Sequence, residues 1–241
     1  MNNFISENIS LIIPSKNDSY NICKNLDDIE TFLSNYFEKH ELIIVSNGSA
    51  KNEISKINKK ILGKKNISHI TLKEPGKGRA VREGIIVSKY NNVLFSDADF
   101  SVEITEVNKF FKNGSLIADL VIGNRKGEGS QNLNAPYTRI IAGSIFLFIV
   151  NLFFKMKIED SQCGFKAFNK KIFEVSIFSE NGFAFDVEMI HLARLKGYKI
   201  SEVPVKYIHN MNSSVKVLKD SFNMIFSIFR IYFRHRQSKS K

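Results

Sequence analysis

Short apolar runs alternate with segments of helical periodicity through the first half of the chain. Each run is closed by polar or turn-forming residues, which is typical of buried strands. The runs predict strands at Ile9–Ile13, Glu41–Val45, Ile67–Leu72, Asn92–Phe95 and Leu120–Ile122. Apolar residues at helical spacing predict helices at Asn21–Phe37, Ile54–Leu62, Arg79–Ser88 and Val107–Phe111. This alternation indicates an α/β fold with a mostly parallel sheet covered by helices on both faces.

The pattern changes after about residue 130, where helices become longer and strands scarcer. Long helices are predicted at Pro136–Phe154 and Asp186–Lys196, and one short strand region at Lys199–Tyr207. No low-complexity linker separates the two halves. We therefore predict one continuous domain over residues 1–212, followed by a C-terminal amphipathic basic helix over residues 213–241.

Two apolar segments have the composition of surfaces that meet a membrane. The uncharged run Ile140–Phe154 would form a helix about 22 Å long. A bilayer span requires roughly 20 residues, so a buried helix, an interfacial helix or a dimer contact is expected instead. One face of the C-terminal helix carries Leu218, Phe222, Ile225, Phe229 and Phe233. That helix either lies on a membrane surface or packs on the core with a solvated basic tail. The polar start of the chain predicts no signal peptide and no membrane anchor there.

Composition adds a strong basic bias to this picture. The chain has 35 Lys and Arg against 24 Asp and Glu, a net charge of +11. Such a charge favours an anionic partner: nucleic acid, lipid phosphate or a nucleotide. No nucleic-acid-binding motif is present, so a nucleic-acid partner is not expected. The two cysteines, Cys23 and Cys163, are too few for a disulfide scaffold or a zinc cluster and fit a reducing compartment.

Polar residues follow every predicted strand of the first half. They form the sets 14–18, 46–49, 75–82, 97–99 and 123–125. Ligands of open α/β sheets bind at the carboxyl ends of the strands. Because the carboxyl ends of parallel strands share one edge, we expect these sets to converge. That convergence is stronger evidence for a site than any single motif.

Asp97 and Asp99 flank one alanine directly after an apolar strand. On an extended strand two such side chains point to opposite faces, but a turn brings both towards one ion. Mg²⁺ favours one or two carboxylates together with substrate phosphate oxygens. An isolated Asp-x-Asp is more often a solvated turn. Its place among the other strand ends favours a metal site here.

The segment Gly76-Lys77-Gly78-Arg79 opens a predicted helix. Glycine lets the backbone approach a ligand closely, and helix N-termini favour anions. Lys77, Arg79 and Arg82 add positive charge, so an anion site is favoured over an ordinary basic turn. The spacing of a P-loop is absent, and no dinucleotide-binding glycine pattern follows the first strand. In the second half, Asp160 could be only a turn residue, and Asp186 the N-cap of the following helix.

The ordered motifs resemble the inverting family 2 glycosyltransferases, and within them the polyprenyl-phosphate β-glucosyltransferases. The matching segments are LIIPSKND, ELIIVSNGS, PGKGRAVREG, VLFSDAD, VIGNR, DSQCGFKAF, FAFDVEM and EVPV. They cover most of residues 9–207 in the family's order. The resemblance implies a glycosyltransferase A-type, Rossmann-like catalytic domain. It also implies transfer of glucose from UDP-glucose to a polyprenyl phosphate, with Mg²⁺ or Mn²⁺ as cofactor. The enzyme would lie peripherally on the cytoplasmic face of a membrane, and a homodimer is possible.

The resemblance also assigns residues. The nucleoside pocket would be lined by Pro14, Asp18, Ser46, Asn47 and Gly48. The residues near the uridine and diphosphate would be Lys77, Gly78 and Arg82. Asp97 and Asp99 would hold the metal and the diphosphate, with Asp99 the better candidate for direct ligation. Arg125 and Lys166 would face anionic groups of the donor or acceptor, and Asp160 would lie near the acceptor.

The sequence departs from the family pattern after the second strand. The family usually has Asp-Asp-Gly-Ser there, where this chain has Ser46-Asn47-Gly48-Ser49. Serine and asparagine can hydrogen-bond a uracil edge, but without charge assistance. Asp18 stands where glutamate is usual. These changes leave the affinity for the donor, and the identity of its base, open.

The acceptor decides whether a general base is needed. A phosphate acceptor is already anionic at neutral pH, whereas a hydroxyl acceptor must lose a proton. Asp160 is the candidate base for a hydroxyl acceptor. Two alternatives therefore stand beside the lipid-directed enzyme. One is a family 2 transferase that acts on a hydroxyl acceptor in surface polysaccharide synthesis, and the other is a non-catalytic sugar-nucleotide-binding protein.

Overall fold

The computed structural model describes residues 5–133, 137–173, 177–208 and 217–236. The strands are β1 (Ile5–Ser15), β2 (Phe37–Asn47), β3 (Ile67–Leu72), β4 (Asn92–Ser96), β5 (Phe111–Lys112), β6 (Ser115–Leu116), β7 (Leu120–Asn124), β8 (Gln131–Leu133), β9 (Phe165–Asn169), β10 (Ile200–Pro204) and β11 (Lys206–Ile208). The α-helices are α1 (Ser19–Tyr36), α2 (Lys51–Lys60), α3 (Lys77–Val87), α4 (Tyr137–Phe154), α5 (Phe185–Leu195) and α6 (Val217–Arg236). Two 3₁₀ helices occupy Ile104–Phe110 and Lys170–Phe173.

One seven-stranded sheet organises the molecule, in the order β10-β7-β9-β4-β1-β2-β3. All neighbouring strands are parallel except β9, which is antiparallel to both β4 and β7. The predicted α/β class with a mostly parallel sheet is confirmed. All five strands predicted in the first half are present. The sequence analysis did not predict β9, because a lysine at its second position interrupts the apolar pattern.

Two predicted elements differ from those observed. The helix predicted at Val107–Phe111 is a 3₁₀ helix that begins at Ile104. The strand region Lys199–Tyr207 divides at Val205: β10 joins the main sheet beside β7, and β11 pairs with β8 in a separate two-stranded sheet. The predicted boundary between residues 212 and 213 lies outside the described residues.

The sheet carries a hydrophobic core on each face. Side chains alternate along β1, so Leu11 and Ile13 pack into the core that contains α1. Ile12 packs into the other core, with α3 and α5. A Cβ at Gly84 would collide with Ile12, so glycine there lets α3 approach the sheet closely. Both faces are therefore covered, which leaves the strand ends as the place for a ligand.

The last described helix, α6, packs on α4 and on the core that contains Ile12, α3 and α5. Phe153 of α4 lies edge-on to Phe229 and Tyr232 of α6, with ring centroids 5.0 and 5.4 Å apart. Ile228 and Ile231 are fully buried. Of the predicted apolar face, Phe229 and Phe233 are exposed and Ile225 is half-buried, whereas the side chains of Leu218 and Phe222 lie outside the described part. None of the helices in the described ranges has the length and hydropathy that crossing a bilayer requires.

Glu188 of α5 joins α6 to the segment before α5. Its side chain is fully buried and accepts hydrogen bonds from the backbone N–H groups of Ser179 and Glu180. Arg234 and His235 of α6 also bind it, each at 2.8 Å. Burial alone would raise the pKa of this carboxyl, but His235, the backbone donors and Arg234 outweigh it and lower the pKa to about 2. The ionised carboxylate therefore stabilises the fold.

We expect Glu188→Gln to remove one component of acid sensitivity. A carboxyl with a lowered pKa contributes stability above its ordinary pKa and loses it as pH falls through the lowered value. The contribution of Glu188 is about 3 kcal/mol, and it is lost between pH ~4.5 and ~2. Urea unfolding across this range should show a shallower loss of stability in the variant. Glu38→Gln, at an exposed position, is the control. Parallel curves for wild type and Glu188→Gln would contradict the assignment.

Candidate active site

Asn47, at the end of β2, joins three of the polar sets. Its side-chain amide donates to the carbonyl of Ser15 at 2.8 Å, and its oxygen accepts from the N–H of Gly76 at 2.9 Å. The side chain is buried. A carboxylate could accept the second bond but could not donate the first. Asparagine at this position therefore ties the ends of β1 and β2 to the glycine-containing turn.

Ser46 makes an uncharged hydrogen bond to His69 of β3. Its hydroxyl lies 2.8 Å from Nε2 of His69, and Nδ1 of the same ring lies 2.7 Å from Oδ1 of Asn58. Burial lowers the pKa of His69, which favours the neutral imidazole. Both positions where the family usually has aspartate thus make uncharged hydrogen bonds within the fold. Gly48 follows in a left-handed conformation (φ +64°), and its N–H binds the carbonyl of Leu72.

The start of α3 is fixed to the segment before α5 by close backbone contact. A Cβ at Gly76 would lie 2.7 Å from the carbonyl oxygen of Asn181, and one at Gly78 would collide with the carbonyl of Glu180. Arg82 donates to the Asn181 side chain at 2.8 Å and to the carbonyl of Phe178 at 3.3 Å. Gly78 and Arg82 were expected near the uridine and diphosphate. In the structure both residues contact the segment before α5 and so hold α3 in place, and their role at the donor stays a prediction.

Asp97, at the end of β4, meets α3 and the turn before β9. Its carboxylate lies 2.7 Å from Nζ of Lys77. Its N–H donates to the carbonyl of Gly164, and a Cβ at Gly164 would overlap the Asp97 carboxylate. Only glycine therefore lets the turn pass this close. A glycine directly before a strand was a usable signal for such an approach.

Three acidic side chains gather at this edge of the sheet. Burial raises the pKa of Asp99, and the negative charge of Asp97 raises it further. Burial also raises the pKa of Asp18, with the charges of Asp99 and Asp97 contributing. Asp99 accepts one hydrogen bond from the N–H of Ser101, at 3.0 Å. The cluster thus carries negative charge that a cation would stabilise.

Asp97 and Asp99 fit a divalent cation that is shared with a substrate. Within the described ranges no three His, Cys, Asp or Glu side chains are grouped to hold an ion by themselves. A pair of carboxylates leaves coordination positions for phosphate oxygens, the arrangement that Mg²⁺ prefers. The site is therefore suited to a metal that arrives with a phosphorylated ligand.

Asp160 and Arg125 form a buried ion pair at the end of β7. The guanidinium donates to both carboxylate oxygens, at 2.7 and 2.8 Å, and the N–H of Arg125 adds a third bond. Burial alone would raise the pKa of Asp160, but Arg125 outweighs it and the pKa is lowered. A carboxylate held in this way is a weak proton acceptor. The role of Asp160 as a general base for a hydroxyl acceptor stays a prediction. The pairing also fixes the guanidinium of Arg125, which lies over the Tyr207 ring.

Lys166 does not lie at the open edge where anionic ligands were expected. Its side chain is fully buried, and its ammonium group binds Asp186 and the carbonyl of Cys163, both at 2.5 Å. Asp186 is not an N-cap either, because α5 begins at Phe185 and its N-cap is Ala184. Lys166 faces inward because β9 is covered on both sides. Pro14 lies within β1 opposite Val45 and is also buried.

Comparisons with known proteins identify a family and similar sequences. Residues 10–181 match the model of the family described as glycosyl transferase family 2. The chain is 30% identical to a dolichyl-phosphate beta-glucosyltransferase of Dictyostelium discoideum, over 94% of this chain and 74% of the relative. It is 31% identical to the Saccharomyces cerevisiae protein of the same name, over 90% and 71% respectively.

The fold is also that of a solved glycosyltransferase. Glucosyl-3-phosphoglycerate synthase from Mycobacterium tuberculosis, in complex with Mn²⁺, UDP and phosphoglyceric acid, superposes with a TM-score of 0.70 at 15% identity. The superposition covers 94% of this chain and 78% of the synthase chain. With the family match over most of its length and strand ends that meet at one acidic edge, the chain belongs to glycosyl transferase family 2.

Proposed function

We propose that the protein transfers glucose from UDP-glucose to a polyprenyl phosphate, with inversion, to give a β-glucosyl-phosphoryl-polyprenol. The observation that carries the proposal is the acidic cluster of Asp97 and Asp99, with Lys77 beside it at the carboxyl edge of the sheet. The names of the similar curated proteins support glucose and a lipid phosphate. The Mn²⁺–UDP complex of the solved synthase supports the donor class and a divalent cofactor, Mg²⁺ or Mn²⁺.

The donor diphosphate would lie between the acidic cluster and α3. A divalent cation held by Asp97 and Asp99 would stabilise the negative charge that develops on the leaving diphosphate. Lys77, which lies beside Asp97, and the N-terminus of α3 would add positive potential. We assign five residues to the part of the site that would hold the nucleoside, where they line or support the pocket: Pro14, Asp18, Ser46, Asn47 and Gly48.

The ion pair between Asp160 and Arg125 favours a phosphate acceptor over a hydroxyl acceptor. The acceptor phosphate would attack without losing a proton, so no general base is required. The Asp160 carboxylate is committed to Arg125, which leaves the guanidinium rigid and partly exposed (19%) for an anionic group. A hydroxyl acceptor would need a free base near the sugar, and Asp160 does not supply one.

The exposed face of α4 supports a lipid surface as partner. Five large apolar side chains recur at helical spacing along α4, and each is more than half exposed: Tyr137, Ile141, Ile145, Phe148 and Leu152. Phe226, Phe229 and Phe233 extend the apolar surface on α6, which packs against α4. The net charge of +11 favours anionic headgroups. We propose that these faces lie on the cytoplasmic side of a membrane, peripherally.

Introducing charge on α4 should release the protein from vesicles. Insertion of Ile145 and Phe148 stabilises the bound state by about 1.5–3 kcal/mol per side chain, so Ile145→Glu/Phe148→Glu should weaken partitioning by about 100-fold or more. Co-sedimentation with phosphatidylserine-containing vesicles measures this. Leu62→Glu is the control, because Leu62 is 85% exposed and follows α2, which packs on α1 instead of α4. Unchanged sedimentation together with loss of a dimer would make this face a subunit contact.

A transfer assay tests the proposed reaction. The protein is mixed with a polyprenyl phosphate, Mg²⁺ or Mn²⁺, and one UDP- or GDP-sugar at a time. The lipid is then extracted and its mass is measured by mass spectrometry. A hexosyl-phosphoryl lipid formed from UDP-glucose is the expected product. Metal-dependent UDP release with a hydroxyl acceptor alone would favour the polysaccharide enzyme. No turnover with any donor would favour a non-catalytic nucleotide-binding protein.

A further inference from the structure

The segment before α5, residues 178–182, holds the start of α3 through backbone and side-chain contacts. The carbonyl of Asn181 accepts from the N–H of Arg79 at 3.3 Å, and its side-chain oxygen accepts from Arg82 at 2.8 Å. A Cβ at Gly78 would collide with a backbone carbonyl of the same segment. The place of this segment therefore fixes the place where α3 begins.

The buried carboxylate of Glu188 joins the same segment to the C-terminal helix α6. Its two oxygens bind different elements. Oε1 accepts from the guanidinium of Arg234 and lies 2.8 Å from Nε2 of His235, both on α6. Oε2 accepts from the backbone N–H groups of Ser179 and Glu180, at 2.9 and 2.6 Å. One side chain, with an exposed fraction of 0%, thus bridges α6 and the segment.

The rest of the contact between α6 and the segment is open. A cleft of about 290 Å³ lies between them, and its lining includes Glu180, Phe183, Met224, Ser227 and Arg230. The side chains of Arg230 and Glu180 form an ion pair at 3.5 Å, in which Arg230 is 59% exposed. Exposed ion pairs contribute little in water. The buried carboxylate of Glu188 is therefore the stronger connection between the two elements.

We infer that Glu188 is a positioning residue for donor binding: through it, the docking of α6 fixes the segment before α5, which in turn fixes the start of α3. Lys77 lies in the first turn of α3 and pairs with Asp97 at 2.7 Å, beside the proposed metal site. The C-terminal helix thus contributes to the affinity for the donor through contacts with the protein alone. The inference rests on the proposed nucleotide-sugar donor.

The first test, Arg234→Leu/His235→Leu, removes the α6 partners of the carboxylate and keeps its backbone partners. If the start of α3 is then in place in about a tenth of the molecules, the dissociation constant for UDP with Mn²⁺ rises about tenfold. Calorimetry measures this constant and the number of sites. Transfer kinetics should show a raised KM for the donor and a nearly unchanged kcat, because saturating donor restores the arrangement. A merely structural contact would lower the number of sites and leave the dissociation constant and KM unchanged.

Glu188→Gln tests the same connection with almost no change in volume. The amide keeps one oxygen for the N–H groups of the segment, but its NH₂ group cannot accept from α6. UDP affinity should therefore fall here as well. Arg236→Gln is the matched control, because it removes a positive charge from an exposed position of the same helix; it should change the dissociation constant by less than about twofold. Wild-type UDP affinity in both Glu188→Gln and Arg234→Leu/His235→Leu would overturn the inference.

Hydrogen exchange separates failure of the inference from failure of the proposed function. If the wild-type protein binds no UDP with any divalent cation, the proposed donor is wrong. The N–H of Arg79 binds the segment without any ligand, and it should exchange about tenfold or more faster in Arg234→Leu/His235→Leu than in Arg236→Gln. The amides of α1, on the opposite face of the sheet, report any general loss of stability. Equal exchange at Arg79 in the two variants would overturn the inference.

Discussion

Asp99→Asn is expected to reduce glucosyl transfer by about a thousandfold or more while the protein stays folded. A metal that neutralises the leaving diphosphate contributes several kcal/mol to the transition state, and each 1.36 kcal/mol is tenfold in rate. We propose that the two carboxylates of the turn after β4 hold that metal. Asparagine keeps the size of the side chain and can still accept the hydrogen bond from the N–H of Ser101.

Stability should move in the opposite direction from activity. Burial and the charge of Asp97 raise the pKa of Asp99, so keeping its carboxylate ionised costs the folded protein stability. Removing that charge should leave the melting temperature unchanged or raise it. Rate, Mn²⁺-dependent UDP affinity and melting temperature together measure the prediction. Glu103→Gln, an exposed acid shortly after the turn, is the control. Wild-type turnover in Asp99→Asn would remove Asp99 from the metal site.

Asp160→Asn is expected to cost both stability and activity. Breaking a buried ion pair by removing one charge costs about 3–5 kcal/mol, because the partner charge stays buried and uncompensated. Asp160 is 2% exposed and binds Arg125 through both oxygens. Transfer should fall by about 100-fold or more, since a displaced Arg125 no longer meets the acceptor phosphate. Chemical denaturation and transfer kinetics measure the two effects.

The pH dependence distinguishes a positioning role from that of a base. Asp160 has a lowered pKa, so the stability it contributes is present above the ordinary carboxyl pKa and is lost as pH falls through the lowered value. The difference in stability between wild type and Asp160→Asn should therefore shrink in acid. A difference in stability that stays constant into acid would contradict the pairing.

The departure from the usual acidic pair after β2 has a structural explanation that the sequence did not show. Asn47 donates one hydrogen bond and accepts another, and each goes to a different segment. The sequence comparison treated Ser46 and Asn47 as a loss of charge in the nucleoside pocket. In the structure their polar atoms bind the fold itself. These hydrogen bonds hold the strand ends and the glycine-containing turn together.

The sequence alone determined the α/β class, the five strands of the first half, and the polar sets that follow them. These features depend on neighbouring residues: the period of apolar positions sets the element, and parallel strands must end at a common edge. Asp97, Asp99 and the glycine-containing turn could be read in the same way, because each motif is contiguous. The ordered motifs were also enough to indicate the family.

Only the tertiary structure decided which charges meet. The antiparallel insertion of β9 between β4 and β7 turns Lys166 inward, towards Asp186. The crossing from β7 to the turn before β9 joins Arg125 to Asp160. The segment before α5 contacts Arg82 and Gly78 of α3. Glu188 links the same segment to α6. Such pairings depend on strand order and register between distant segments. A local pattern contains no information on these, so a charged residue could be recognised but its partner could not.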